Sequence, residues 1–165
     1  MDINFLVCAL AALVPLVTGF IWYGSLFKNA WMKEMNLTEE SMKGANMPLI
    51  FGLTYVFSFL ITLGLMPVVI HQWGVFSTLA GEPGFMEKSG EVWNYFTDFM
   101  SNYGDRFRTF KHGALHGALI GFFVSFPILG IQALFERKNF KYIAINAGYW
   151  IITLAIMGGI LCQWL

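Results

Sequence analysis

The sequence predicts an all-α fold: a bundle of four transmembrane helices, with a short interfacial helix in the first loop and an amphipathic helix in the long second loop. The last third of the chain consists of two apolar runs, 113–135 and 142–165, joined by a six-residue basic turn. Each run exceeds the roughly 20 residues that a helix needs to cross about 30 Å of hydrocarbon. Two earlier runs, about 3–27 and 48–73, have the same character.

Composition supports this prediction. The chain is 57% hydrophobic and only 12% charged, which is more apolar than a soluble domain of 165 residues requires. All 165 residues are therefore expected to form one integral membrane domain, with the lipid bilayer as its first partner. The formal net charge is zero and no basic stripe is present, so nucleic acid is excluded as a partner.

The first run begins close to the N-terminus but does not have the pattern of a secretion signal. It lacks a basic segment and continues past the length of a signal to Trp22 and Tyr23. A retained first helix is predicted. Small residues are missing before Cys8, so this cysteine is interpreted as structural rather than as a lipoprotein acylation site.

The first and second loops are each expected to contain a helix. In the first, Thr38 is placed to cap a short helix that has Glu39 and Glu40 in its first turn. In the second, of about 35 residues (74–111), apolar and polar positions alternate at helical spacing. The apolar side of that helix is predicted to lie in the headgroup region or over the mouth of the bundle, and it consists of Val92, Phe96, Phe99, Met100 and Tyr103.

Four crossings place both termini on one side. The first and third loops, which are the two short ones, lie on the opposite side and carry six Lys and Arg residues, compared with four in the long second loop. By the positive-inside rule the short loops face the cytoplasm and both termini face the periplasm.

A ridge of small residues runs along the third span, at Gly113, Gly117, Gly121 and Ser125. Small residues four apart let another helix approach closely, so the ridge is expected to be a buried contact, within the chain or between copies. Small positions on the fourth span that could face it are Ala147, Gly148, Ala155 and Gly159. Kinks are expected at Pro15, Pro67 and Pro127.

The three histidines of the chain fall on one side of the membrane, because His71 ends the second span while His112 and His116 open the third. A spacing of four places His112 and His116 on one helix face, as in many metal sites. Three interpretations remain open: interfacial histidines bonded to loop residues such as Asp105, ligands of a metal ion or haem, and a proton relay. The first, without a cofactor, is favoured, since neither HExxH nor CxxCH is present.

Cys8 and Cys162 are expected in the same leaflet as the histidines. If that leaflet is periplasmic, a disulfide between them is a further hypothesis. A second polar cluster is predicted to point into the bundle nearer the other side, either to join helices through hydrogen bonds or to line a narrow hydrated path. Its members are Thr18, Tyr23, Thr54, Ser58, Asn146 and Tyr149.

No span carries a charge at its middle, and the sequence has no Ser/His/Asp set and no phosphate-binding glycine loop. Four short helices bury little surface alone, so the leading functional hypothesis is a non-enzymatic bundle that forms homo-oligomers and serves as a membrane-complex subunit or a small permease or channel. A metal- or haem-dependent membrane enzyme using His71, His112 and His116 is the alternative. A third hypothesis is lipid binding, with a headgroup held by Arg106, Arg108 and Lys111.

Two segments resemble a known family. ALFERKNFKYIAINAGYWIITLAIMGGILCQW, and above all NAGYW (146–150) and MGGI (157–160), is similar to the carboxy-terminal part of a bacterial four-helix membrane family known as domain of unknown function 1761. The segment GFIWYGSLFKNAWMKEMNLTEE resembles the WY pair, second Trp and capped helix of the same family. The resemblance implies four spans and a bacterial inner membrane, and no activity, cofactor or catalytic residue.

Overall fold

A computed structural model describes residues 3–165, which are 76% helical and contain no strand. Four helices are long and apolar enough to cross a membrane, and we refer to them as spans 1 to 4: Phe5–Leu26, Met47–Val69, Phe110–Phe135 and Phe140–Trp164. The predicted all-α fold with four candidate transmembrane helices is confirmed. Exposed apolar side chains, such as Phe20, Phe57 and Phe135, cover the outside of the spans.

Two ends of the spans differ from the prediction. Span 2 ends at Val69 instead of residue 73, because Ile70 adopts an extended conformation (φ −116°, ψ 96°). A separate helix, Gln72–Leu79, follows the break and was not predicted. Span 3 begins at Phe110, three residues before the predicted start, because the Thr109 side chain accepts a hydrogen bond from the backbone N–H of His112 at 3.3 Å.

Prolines coincide with interruptions in two spans. Span 1 consists of the helices Phe5–Ala11 and Val14–Ile21, with Pro15 in the first turn of the second, followed by a π-helix at Trp22–Leu26. Span 3 has a π-helix at Gly121–Ser125, immediately before the segment Phe126–Phe135 in which Pro127 lies. Since proline has no N–H to donate, a backbone bond is missing at the break before Pro15 and at the wider turn before Pro127. Pro67 lies in the last turns of span 2, which continues to Val69.

The helix of the first loop lies earlier than the sequence suggested. It spans Lys28–Met35 and ends at Asn36, which has a left-handed conformation (φ 54°). Thr38 caps a turn: its hydroxyl accepts from Ser41 N at 3.1 Å, and the Ser41 hydroxyl accepts from Thr38 N at 2.9 Å. Lys28 donates a 2.7 Å hydrogen bond to Glu39 and thereby lowers the pKa of that carboxyl below its ordinary value.

The second loop contains the predicted amphipathic helix, at Gly90–Tyr103. Its buried Phe96 packs edge-on against Phe76 of the preceding helix and against Phe85, with ring centroids 6.0 and 5.1 Å apart. Phe85 itself is only 1% exposed. The apolar side of this helix is therefore folded onto the rest of its own loop, where a small aromatic core holds the two loop helices together.

Span 4 is the central helix. In its most apolar stretch 50% of the residues are buried, compared with 11% in span 3. The glycine ridge of span 3 lies against it within the same chain: a Cβ on Gly113 would meet the carbonyl of Gly158, and one on Gly117 the carbonyl of Leu154. Gly158 was not among the positions proposed from the sequence. Ser125, the last residue of the ridge, lines an apolar groove between spans 2 and 3.

The two cysteines lie in one buried cluster that spans 1, 2 and 4 share, together with Val69, Met157 and Leu161. Both are free thiols, so the disulfide that the sequence permits is not formed in this structure. The Cys162 thiol instead donates a hydrogen bond to the carbonyl of Phe107 at 3.3 Å.

Glu34 ties the first-loop helix to the turn between spans 3 and 4. Its carboxylate accepts a 2.5 Å hydrogen bond from the Asn139 side chain and lies 3.5 Å from the Lys141 ammonium. Asn139 also caps span 4 by accepting from Tyr142 N at 3.0 Å. Part of the basic turn is thus neutralised within the protein.

Candidate metal centre

The three histidines come together where spans 2 and 3 meet the long loop. His71 follows the extended residue Ile70, at the break that separates span 2 from the next helix. His112 and His116 lie one turn apart in span 3, so their rings project from the same face. The break after span 2 directs His71 toward that face.

The imidazole rings form a compact triad. The Nε2 atoms of His71 and His112 are 2.9 Å apart, and one nitrogen from each of the three rings lies within 4.8 Å of the others. The ring centroids of the three pairs are separated by 4.9, 4.8 and 4.5 Å. His71 is exposed and the other two are half-buried, so the triad is open to the outside of the protein at His71.

This geometry fits a transition-metal ion. Imidazole nitrogens bind Zn²⁺ at about 2.0–2.1 Å, which in a tetrahedral site places two nitrogens about 3.3–3.4 Å apart. The 2.9 Å separation of His71 and His112 is shorter than that value and the 4.8 Å limit for the set is longer, so rotation of the side chains is needed to direct three lone pairs at one ion. Without an ion, the His71 and His112 nitrogens form a hydrogen bond in which one ring donates and the other accepts, according to their tautomers.

Neighbouring groups hold the triad in place. The ring of Phe107 stacks on His112, with centroids 5.1 Å apart and planes inclined by 24°. Phe107 has a positive φ of 63°, which is rare for a bulky residue. The buried side-chain amide of Gln72 donates to three backbone carbonyls close to the connection before span 3, those of Tyr103, Gly104 and Arg106, at 3.3, 2.8 and 3.0 Å.

A cavity of about 350 Å³ opens beside His71. The loop helices and the connection before span 3 form its walls, and the residues that line it are His71, Gln72, Val75, Phe99, Tyr103, Arg106 and Phe107. Its lining is mostly aromatic and aliphatic, with His71 and Arg106 as the two side chains that can meet a charged ligand. One member of the triad, His71, thus lines a space large enough for a small molecule.

The basic residues proposed to bind a lipid headgroup are not equivalent. The Arg108 guanidinium donates to the carbonyl of Cys162 at 2.7 Å, which holds the connection against the end of span 4. Lys111 is exposed at the start of span 3, and Arg106 is the member of the set that lines the cavity.

Four of the six predicted inward polar residues join span 1 to span 4. Tyr23 donates to the Asn146 side chain at 2.9 Å, and Tyr149 donates to the carbonyl of Pro15 at 2.8 Å. The Thr18 hydroxyl lies 2.8 Å from that of Thr153, which shares a polar face of span 4 with Asn146 and Tyr149. These bonds connect helices, which is the structural role expected of polar groups at membrane depth.

The other two members, Thr54 and Ser58, are on span 2. The Thr54 hydroxyl donates to the carbonyl of Ile50, four residues earlier, and Ser58 is buried. The sequence also missed Trp22, whose indole N–H donates to the carbonyl of Ile145 at 3.0 Å. The available signal for Trp22 was its position beside Tyr23 in the WY pair that resembles the family.

Sequence reasoning missed the two neighbours of the triad as well. Gln72 was hidden within an apparently continuous apolar run, and the only signal for a break was the polar pair His71-Gln72 itself. Phe107 lies between Arg106 and Arg108, and nothing in the local sequence indicated that it would adopt a left-handed conformation and cover His112.

Comparisons with known proteins place the chain in a family without assigning it an activity. No significant match is found among curated proteins or among solved structures. The sequence model of the family described as "Protein of unknown function (DUF1761)" matches residues 6–162, which is nearly the whole chain. The chain therefore belongs to the DUF1761 family.

Proposed function

We propose that this protein is a multi-pass membrane protein that binds one divalent transition-metal ion through His71, His112 and His116. The convergence of three imidazoles from two separate spans carries this proposal. Imidazole suits zinc, copper, nickel and iron, whereas magnesium and calcium prefer oxygen ligands. Three neutral ligands leave the charge of the ion uncompensated and leave a fourth position open.

Haem fits the triad less well than a single ion does. A haem iron held by two histidines needs space for the macrocycle between the rings. The three ring centroids are only 4.5–4.9 Å apart, which leaves no such space between any two of them. A mononuclear site with an open position, of the kind found in three-histidine zinc proteins, is the better match.

The metal proposal is tested with tag-free protein in a neutral detergent. After treatment with a chelator and its removal, Zn²⁺ is titrated and the bound metal is measured by elemental analysis. We expect one equivalent in the wild type and at least a hundredfold weaker binding in His112→Ala and His116→Ala. Lys111→Ala, next to His112 in span 3, is the matched control and should bind as the wild type does. Sub-stoichiometric zinc in the folded wild type overturns the proposal.

We also propose that the membrane is the bacterial inner membrane and that the triad faces the periplasm. The support is the excess of Lys and Arg in the short loops, six against four. Ser101→Cys, in the long loop, and Ser41→Cys, in the first loop, can be tested with a membrane-impermeant maleimide on spheroplasts. Labelling of position 101 alone is expected, and labelling of position 41 alone would reverse the orientation.

A second proposal is that copies of the chain associate through span 2, as expected of a membrane-complex subunit. The groove between spans 2 and 3 has a volume of about 440 Å³ and an apolar lining. Gly64 lies in this groove, and no atom is within 4 Å of where its Cβ would be, so another helix can approach there.

Association is measured by crosslinking and native mass spectrometry in nanodiscs. Gly64→Leu should shift dimers to monomers, while Gly52→Leu, at a similarly open position of the same span, should not. A strictly monomeric wild type removes this second proposal and leaves the metal site unaffected.

A further inference from the structure

We infer that the cavity beside the triad binds the anionic head of a membrane amphiphile, with the anion held between Arg106 and the open position of the metal. This inference rests on the proposed metal site and names the class of ligand that the site takes. It follows from the two ends of the cavity, which differ in chemistry.

The polar end of the cavity favours an anion. His71 supplies one metal ligand at this end, and Arg106 lines the same wall. The guanidinium carbon of Arg106 lies 5.6 Å from the ring centroid of Tyr103, which supports its planar face. Across residues 3–165 no carboxylate lies within ion-pairing distance of Arg106. A carboxylate or a phosphate can therefore accept from Arg106 and coordinate the ion at once.

The remaining walls favour an apolar chain. Val75, Phe99 and Phe107 present aliphatic and aromatic carbon to the cavity, and Phe107 is 62% exposed. Gln72 also lines the space, but its N–H groups are used by three backbone carbonyls. The volume of about 350 Å³ is within the range of small-molecule sites and accommodates an anionic head with the first part of a chain.

The position of the cavity matches an interfacial ligand. It lies at the ends of spans 2 and 3, next to the residues where the apolar helices begin and end. Lipid headgroups are at this depth, so an amphiphile can place its head in the cavity while its chain continues along the outside of the spans. Arg108 does not compete for the anion, because it is bonded to the carbonyl of Cys162.

Two anionic ligands distinguish the possible sources of the head group. Laurate represents a fatty acid, and lauroyl lysophosphatidylglycerol represents a phospholipid. Dodecanol, with the same chain length and no charge, is the matched ligand control. Dissociation constants are measured for zinc-loaded and metal-free protein in a neutral maltoside detergent. Zinc-loaded protein should bind at least one anion about tenfold more tightly than dodecanol, and metal removal should weaken that binding. The tighter anion identifies the source.

Arg106→Gln should reduce the anion affinity of the zinc-loaded protein about tenfold, and Arg106→Lys should restore part of it. Lys111→Gln removes a nearby charge outside the cavity and should leave the affinity unchanged. Equal affinities for laurate, the lysophospholipid and dodecanol, or an Arg106→Gln variant that binds as the wild type does, overturn the inference. If zinc binds with wild-type affinity in these preparations, the metal proposal survives that failure. If no zinc binds, both fail.

Discussion

The hydroxyl of Tyr149 donates a 2.8 Å hydrogen bond to the carbonyl of Pro15, and it thereby joins span 4 to the segment of span 1 that follows the helix break. About two helical turns along span 1 and one turn along span 4, Tyr23 bonds to Asn146 and Trp22 to the carbonyl of Ile145. The two segments on which the family resemblance rests therefore contact each other. We infer that they act together as the interface between the first and last spans.

Replacing Tyr149 by Phe removes this hydrogen bond and keeps the buried ring, which is 8% exposed. Hydrogen bonds between membrane helices contribute about 0.6 kcal/mol on average and at most about 1.7 kcal/mol. We expect Tyr149→Phe to lower the free energy of unfolding by about 0.6–1.7 kcal/mol, measured by titrating protein in neutral detergent micelles with sodium dodecyl sulfate. Tyr95→Phe, on an exposed face of the long-loop helix, is the control. Equal stability of all three proteins would show that the bond is not stabilising.

The contact of Gly117 with Leu154 leads to a larger expected effect. A methyl group at position 117 would strike the Leu154 carbonyl, so Gly117→Ala must push spans 3 and 4 apart. Overpacking of this kind costs about 1–3 kcal/mol, measured as loss of unfolding free energy. Gly52→Ala adds the same methyl group to span 2, where no atom lies within 4 Å, and should be neutral or slightly stabilising. Similar results for the two variants would contradict the close packing of spans 3 and 4.

The number and approximate limits of the spans were predictable, because hydrocarbon thickness sets a minimum length for an apolar helix. Their ends were less predictable. The break at Ile70 lies within apolar sequence, and the early start of span 3 depends on one side-chain cap, Thr109. Spacing alone identified the glycine ridge, but not the partner Gly158, since helix register depends on the packing of whole surfaces.

The sequence predicted which residues form the candidate site, but it did not predict how their side chains are arranged. Topology places three histidines on one side, and helical periodicity pairs His112 with His116. Whether His71 reaches them depends on how the chain leaves span 2, and the polar pair His71-Gln72 signals a break there without giving its direction. The 2.9 Å approach of His71 to His112 spans 41 positions of sequence and requires the whole bundle to be in place.

The state of the two cysteines gives a direct test of the core. Cys8 and Cys162 are both fully buried and free. Native protein prepared without reductant should react slowly with maleimide, and unfolding should release two reactive thiols per chain. Ser101→Cys, in the exposed long loop, should add one thiol that reacts at once. Fewer than two thiols in the unfolded wild type, with recovery after reduction, would mean that a disulfide forms in the membrane.

Gln72 is a positioning residue for the triad, and its effect should be separable from that of a ligand. Gln72→Met keeps the length of the side chain but leaves three backbone carbonyls before span 3 without their donor. Because Gln72 is adjacent to His71, and because the connection that it holds carries Phe107 over His112, both sides of the triad should lose order. All three proposed metal ligands remain, so zinc should bind more weakly, by about 10- to 100-fold, at unchanged stoichiometry.

Hydrogen exchange distinguishes this role from general destabilisation. Amides of residues 104–109 should exchange faster in Gln72→Met, while those of span 4 keep their protection. Gln132→Met removes a comparable amide, which donates to Glu136 at the far end of span 3, and should change neither zinc affinity nor this exchange. Wild-type zinc affinity in Gln72→Met would mean that the triad is held by spans 2 and 3 alone. In that case the loop would cover the metal site without shaping it.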